Sequence, residues 1–300
     1  MMSVARQCAW SYRTGMLAAP PRPLTIVALA LVSLPGVAAA RAEDATAWQR
    51  DVHAEARLIA GTIFKTPGAS FVRAGIEIHL DPGWKTYWRY PGDTGVPPIF
   101  DFAGSDNVKS ATVLWPAPKR FSDGAGGHSI GYLDELILPL RITRAQPARA
   151  SALNVKLKYA VCGTLCVSAS AKLNLALSGN GGDEGVLEKA EQRVPRRVAL
   201  GPNGSALAIL SVHREPGSAH DRVVVEVAAP AGAPVDLFAE GPTPDWALPL
   251  PEPADPGTGT KRRFTFDLDG LPAGAEVKGA ALTMTAVSGD DAIEVPVHLD

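Results

Sequence analysis

From residue 52 onward, apolar and polar residues alternate with a period of two in short pieces, and each piece is cut off by a cluster of Gly, Pro, Asp or Asn. Successive side chains of an extended chain point to opposite faces, so this pattern buries one face and wets the other only as a β-strand. In the first half the pieces fall at residues 52–60, 70–80, 85–89, 110–115, 135–143, 152–161 and 171–177. Breaks such as Asp81-Pro82-Gly83, Pro91-Gly92-Asp93 and Gly124-Ala125-Gly126-Gly127 separate them. The pattern predicts short antiparallel strands closed into a sandwich or barrel, with little helix.

Around residues 178–203 the alternation lapses into a Gly-, Asn- and Asp-rich run with room for one short helix, then resumes at 206–213, 222–228, 235–239, 263–268, 277–287 and 292–299. This predicts a first all-β domain over residues 43–180, a linker over 181–204 and a second all-β domain over 205–300. Residues 43–52 are polar and read as a loose lead-in, and the Pro-rich stretch 242–256 reads as a long exposed loop. No fixed-period motif repeats between the halves.

Residues 1–23 carry Arg6, Arg13 and Arg22 without an acid, and an apolar run from Leu24 to Val32 follows and ends at Pro35. Ala40-Arg41-Ala42 then supplies small residues at a cleavage spacing. Residues 1–42 therefore read as a secretory signal peptide, with an uncleaved anchor as the alternative; the run is short of the roughly 20 apolar residues of a membrane span. Removing it, with its four arginines, leaves 25 basic against 31 acidic side chains, a net charge near −6. That balance suits solubility and argues against nucleic acid as a partner. The remaining 258 residues are enough for two packed cores.

Export decides which cysteine chemistry is open. Cys8 leaves with the leader, so Cys162 and Cys166, in Tyr159-Ala160-Val161-Cys162-Gly163-Thr164-Leu165-Cys166-Val167, are the thiols of the mature chain. The alternation runs into Cys162 and out of Cys166, so Gly163-Thr164-Leu165 reads as a three-residue hairpin loop that can bring the two sulfurs together. As a structural staple such a bond is weak: a ring of about five residues contributes about 2 kcal/mol, against about 4.7 for a hundred-residue loop. Hairpin-tip bonds can be accessible and labile, which suits exchange chemistry. Ring size and position leave staple and redox pair both open. Two thiolates could also hold a soft ion such as Cu(I), though tetrahedral zinc would need further ligands, and the six histidines show no ligand spacing. No cofactor is expected, and Lys158, four residues before Cys162 and on its strand face, is the nearest candidate for lowering a thiol pKa.

Several blocks of residues resemble a known family. They are the run from Asp81-Pro82-Gly83-Trp84-Lys85-Thr86-Tyr87-Trp88-Arg89-Tyr90 to Pro91-Gly92-Asp93-Thr94-Gly95, then Leu114-Trp115-Pro116-Ala117-Pro118-Lys119-Arg120-Phe121, Ile130-Gly131-Tyr132, and Tyr159-Ala160-Val161-Cys162 with Cys166. In order and spacing this is similar to the N-terminal periplasmic region of the DsbD and ScsB thiol:disulfide interchange proteins, closer to ScsB, and the second half resembles the part that follows. The resemblance implies two immunoglobulin-like β-sandwiches in tandem in the periplasm, with Cys162 and Cys166 as a redox-active pair. It further implies a protein-disulfide reductase component that exchanges electrons with thioredoxin-like partners. This sequence carries no multi-span segment and no Cys-x-x-Cys, so a separate membrane-embedded electron donor is expected.

Trp84, Tyr87, Trp88 and Tyr90 form a dense aromatic cluster for which core packing is one reading and shielding of the cysteine pair from stray oxidants another. Asp93 and Tyr132 are accessory candidates on the same logic. On a strand, Trp84, Thr86, Trp88 and Tyr90 share one face and Lys85, Tyr87 and Arg89 the other. Gly124-Ala125-Gly126-Gly127-His128 lacks the Gly-Lys-Ser/Thr ending of a phosphate loop and reads as a plain loop.

Overall fold

The computed structural model describes residues 15, 44–66, 69–122, 126–255 and 259–300; the rest of the expected leader lies outside them. The chain runs β1 (Gln49–Asp51), β2 (Ala54–Thr66), β3 (Ala69–Leu80), β4 (Lys85–Gly92), β5 (Ile99–Asp101), β6 (Val108–Val113), β7 (Lys119–Ser122), β8 (His128–Leu133), β9 (Glu135–Arg144), β10 (Ser151–Cys162) and β11 (Cys166–Leu177). There follow α1 (Glu184–Gln192), β12 (Arg196–Arg197), β13 (Ala208–Glu215), β14 (Arg222–Ala228), β15 (Asp236–Glu240), β16 (Glu252–Pro253), β17 (Lys261–Asp267), β18 (Ala281–Ser288) and β19 (Asp291–His298). The all-β expectation holds. Among the described residues no helix is long and apolar enough to cross a membrane.

The strands form two stacked pairs of sheets. In the first pair, β1-β2-β3-β9-β6 faces β11-β10-β4-β8-β7, with β5 added on β10. Alternation supplies the filling: Leu58, Ile76, Ile78, Leu138, Leu140 and Ile142 from one sheet meet Trp88, Ile130, Leu153, Val155, Leu157 and Val161 from the other, each at most 1% exposed. In the second pair, β12-β19-β18-β15 faces β13-β14-β17-β16 around Val223, Val225, Phe264, Met284, Ile293 and Val295. Polar residues on the outer faces leave each sandwich no other way to bury its apolar face.

Charged and aromatic contacts join the sandwiches. Arg89 on β4 makes a two-pronged bond to Glu240 on β15 at 2.7–2.8 Å and reaches Glu294 on β19 at 2.6 Å. Trp88 packs on Phe238, and Phe238 and Leu250 join the first core. Arg120 adds bonds to Glu252 and to the carbonyl of Pro251.

Three loop expectations need correction. The lead-in is tied down: β1 pairs with β2, and Asp51 accepts bonds from the backbone and hydroxyl of Ser170 on β11. The Pro-rich stretch is not an exposed loop, because Trp246, Leu248 and Leu250 are 3–6% exposed and Glu252–Pro253 pairs with β17. Proline, with φ fixed at about −65°, is tolerated in extended and edge segments of this kind, and the apolar residues between the prolines are buried. His128, read as part of a loop, opens β8, which pairs with β4 and β7.

The expected short helix forms within the span read as a linker and docks on the first sandwich. Its Leu187 is fully buried, and the space exists because two facing strand positions are glycine: a Cβ at Gly61 or Gly75 would stand 2.6 or 2.7 Å from the Leu187 side chain. Burying that leucine stabilises the docked helix by about 1.5–3 kcal/mol. Glu184, in its first turn, accepts bonds from the Thr62 backbone and hydroxyl and from Arg73.

Candidate functional site

The hairpin expected at the cysteines is present. β10 and β11 pair without a slip from Ser151↔Leu177 to Cys162↔Cys166, and Gly163-Thr164-Leu165 closes the turn with a Gly163 N–H bond to the Leu165 carbonyl. A disulfide joins Cys162 and Cys166, whose α-carbons are 4.1 Å apart. The two sulfurs differ in their access to solvent. Cys162 is 2% exposed, whereas Cys166 is exposed at the end of the hairpin beside Leu165, which is 73% exposed.

Strand alternation alone would not bury Cys162. Along β10 the inward residues are Leu153, Val155, Leu157, Tyr159 and Val161, so Cys162 sits on the outer face with Lys156 and Lys158, which are exposed. Tyr87 supplies the cover. β4 pairs with β10 at Thr86↔Val161 and Lys85↔Cys162, which places Tyr87 on the same outer face as Cys162. Its hydroxyl lies 2.7 Å from Cys162 Sγ, 3.4 Å from Cys166 Sγ and 3.3 Å from the Thr94 carbonyl. Disulfide sulfurs carry no proton, so the hydroxyl is the donor in this pairing. Burial pushes the Tyr87 pKa above its ordinary value, which keeps that proton in place.

The segment after β4 folds over the tyrosine. Gly95 lies flat against its ring: an added Cβ would come 2.6 Å from Tyr87 Cδ1 and 2.4 Å from Pro91 Cβ. Asp93 anchors the base of this loop, its N–H donating to the His128 carbonyl and its Oδ2 accepting from the His128 N–H, both at 2.9 Å. Trp84 supports the hairpin from the other side. A Cβ on Gly163 would stand 2.9 Å from its ring, and the ring is stacked on His53 at 3.7 Å. His53 is held in turn by Asp81, 2.9 Å from Nδ1. The hydrogen bonds from His53 and then Arg50 keep the Asp81 carboxyl below its usual pKa.

An exposed and a buried sulfur, one phenol and a covering loop can support stepwise thiol-disulfide exchange. Residues 60–178, which hold all of these groups, match the family model described as "Thiol:disulfide interchange protein DsbD, N-terminal". This stretch belongs to the DsbD N-terminal family. The crystal structure of the N-terminal periplasmic domain of ScsB from Proteus mirabilis shares the fold, with a TM-score of 0.66 and 24% identity over 86% of this chain and 99% of that one. At that coverage the shared fold takes in the second sandwich as well as the DsbD-type first one, and it includes the immunoglobulin-like all-β architecture. None of the curated proteins compared matches the chain.

Within the DsbD N-terminal region the accessory candidates separate. Tyr87 touches both sulfurs, Trp84 backs the turn, and Asp93 fixes the loop over Tyr87. Trp88 is fully buried in the core against Phe238, Tyr90 donates to the Leu248 carbonyl of the second sandwich, and Tyr132 is buried and donates to the Pro116 carbonyl. Burial raises the Tyr90 pKa to about 12 and that of Tyr132 well above the ordinary tyrosine value, as fits packed phenols. Lys158 is exposed, whereas Lys85 is Cys162's cross-strand neighbour and its Nζ donates to Ser129 Oγ at 2.8 Å. Lys85, His53 and Gly95 are parts of the site that sequence reasoning missed, because strand pairing and a loop crossing bring them there from far along the chain.

Proposed function

We propose that this chain is a periplasmic dithiol/disulfide electron carrier of the protein-disulfide reductase type, working through Cys162 and Cys166. The observation that supports it best is the asymmetry of the pair: Cys166 is open to a partner while Cys162 is buried under a hydrogen-bond donor. In the accepting direction a partner thiolate attacks Cys166 Sγ. A partner–Cys166 disulfide forms, the Cys162–Cys166 bond breaks, and Cys162 leaves as a thiolate that accepts the Tyr87 hydroxyl proton in a hydrogen bond. The partner's second thiolate then attacks the partner's own bridged sulfur and expels Cys166 as a thiolate. Two electrons have passed to the carrier, which takes up protons from solvent, and the partner is now the disulfide. In the donating direction the Cys166 thiolate attacks an oxidised substrate, and Cys162 resolves the mixed disulfide by attacking Cys166.

A thioredoxin-like protein fits as partner, because it presents two thiols at one accessible point. The reading also takes residues 1–42 as an export leader, a separate membrane-embedded protein as electron donor, and residues 205–300 as a second domain that supports docking of the first. A structural staple or a Cu(I) site is the competing reading, and thiol behaviour separates them. Cys162→Ala should accumulate a mixed disulfide with a thioredoxin-like partner through Cys166, whereas Cys166→Ala should trap little through the buried sulfur. Failure of Cys162→Ala to capture a partner, with a reduction potential well below about −300 mV, would sink the carrier reading.

A further inference from the structure

We propose that Glu77, His79 and Glu135 form a binding site for a divalent cation of the zinc class, on the face of the first sheet turned away from its core. This goes beyond the exchange reaction, since it uses neither cysteine.

Register builds the cluster. His79 on β3 is paired with Glu55 on β2 and with Glu135 on β9, and Glu77, two residues earlier on β3, shares its face. One donor atom each from Glu77, His79 and Glu135 lies within 4.8 Å of the others. His79 Nε2 is 3.4 Å from Glu77 Oε1. Zinc holds nitrogen and carboxylate donors at about 2.0–2.2 Å in a tetrahedron, whose edge is then roughly 3.4 Å. The two donors thus already stand about one tetrahedral edge apart, and Glu135, exposed at the start of β9, closes the third corner by side-chain rotation.

The surrounding groups also favour a metal. Glu77 is only 6% exposed, and Arg57 Nε holds its Oε2 at 2.6 Å, which leaves Oε1 aimed at the imidazole. The other ring nitrogen of His79 faces Glu55 Oε1 at 3.6 Å, the position from which an outer carboxylate orients a metal-bound histidine. Trp48 steadies both neighbours, with its ring 4.2 Å from that of His79 and 4.4 Å from the Arg57 guanidinium. Three carboxylates, from Glu55, Glu77 and Glu135, converge on His79, while Arg57 bonds Glu77 and Arg50 contributes only a 3.9 Å approach to Glu55 as it bonds Asp81. A divalent ion would balance this excess of negative charge. An imidazole beside carboxylates selects zinc-class ions over calcium or magnesium, which prefer all-oxygen shells. The fourth position is left to water.

The test is calorimetric titration of the full oxidised chain with Zn2+ alone, in a buffer that does not chelate it. One equivalent should bind. His79→Ala should abolish binding, and Glu135→Gln, at an exposed position that leaves the fold intact, should weaken it by at least about tenfold. A Cys162→Ala/Cys166→Ala double variant should bind as the parent does. No saturable heat at millimolar Zn2+, parent-like affinity in both His79→Ala and Glu135→Gln, or loss of binding in the cysteine double variant would each overturn the proposal.

Discussion

The Tyr87 hydroxyl stands 2.7 Å from the buried sulfur of Cys162, although 75 residues separate the two in the chain. This one contact covers the buried sulfur, and in the exchange scheme proposed above it supplies a donor for the thiolate that Cys162 becomes and leaves Cys166 as the sulfur a partner meets first.

Replacing Tyr87 with Phe keeps the ring and removes the donor. A neutral hydrogen bond contributes about 0.5–1.5 kcal/mol, and one to a charged group about 1.5–3. The variant loses the neutral bond from the oxidised form and the stronger, charged one from the Cys162 thiolate, so the reduced form is destabilised more and the potential of the couple should become more negative by roughly 10–50 mV. Equilibration with a thioredoxin couple of known potential measures this. An unchanged or more oxidising couple would show that the hydroxyl does not stabilise the thiolate.

Gly95→Val tests the covering loop. Its Cβ would enter the space of Pro91 and the Tyr87 ring, so the loop or the ring must move. In the reduced protein, Cys162 should alkylate several-fold faster than in the parent, while Cys166, already exposed, should change little. Peptide mapping after timed iodoacetamide treatment distinguishes the two sulfurs.

Arg89→Ala should loosen the two sandwiches. Burial works against the Arg89 charge, yet Glu240 and Glu294 outweigh it and raise its pKa above the ordinary arginine value. Removing the guanidinium strands two half-buried carboxylates and should cost roughly 2–4 kcal/mol. Thermal unfolding should shift downward and broaden toward two transitions, whereas a single unshifted transition would mean the ion pairs do not couple the halves.

The docking of α1 should depend on pH through Glu184. Burial tends to raise its pKa, but hydrogen bonds from Thr62 and Arg73 prevail and hold it below the usual value. A depressed folded pKa stabilises above the unfolded value of about 4.3, and that contribution is lost as pH falls through the folded value. Glu184→Gln should therefore cost about 1–2 kcal/mol at neutral pH and progressively less toward about pH 3. Urea unfolding at both pH values checks the sign.

The strands were legible because their signal is local. Alternation at residues 222–228 coincides with β14, and the runs on either side of Gly163-Thr164-Leu165 anticipated the β10–β11 hairpin. Short strands with mixed faces, such as Glu252–Pro253 or Arg196–Arg197, carry too few residues to show a period. The buried Trp246 and Leu248 were hidden by prolines that mark loops elsewhere.

By itself the sequence determined that the chain folds as β-sheet and that Cys162 and Cys166 face each other across one tight turn, since both follow from the side-chain period and a three-residue loop. The tertiary structure alone decided which sulfur is buried and what covers it. Alternation assigns Cys162 to an outer face that water would reach, and only the pairing of β4 with β10 and the passage of Gly95 over the ring bring Tyr87 onto it. It likewise set His79 between carboxylates from three strands, because the choice of β9 as the neighbour of β3 is made by long-range packing that local spacing does not record.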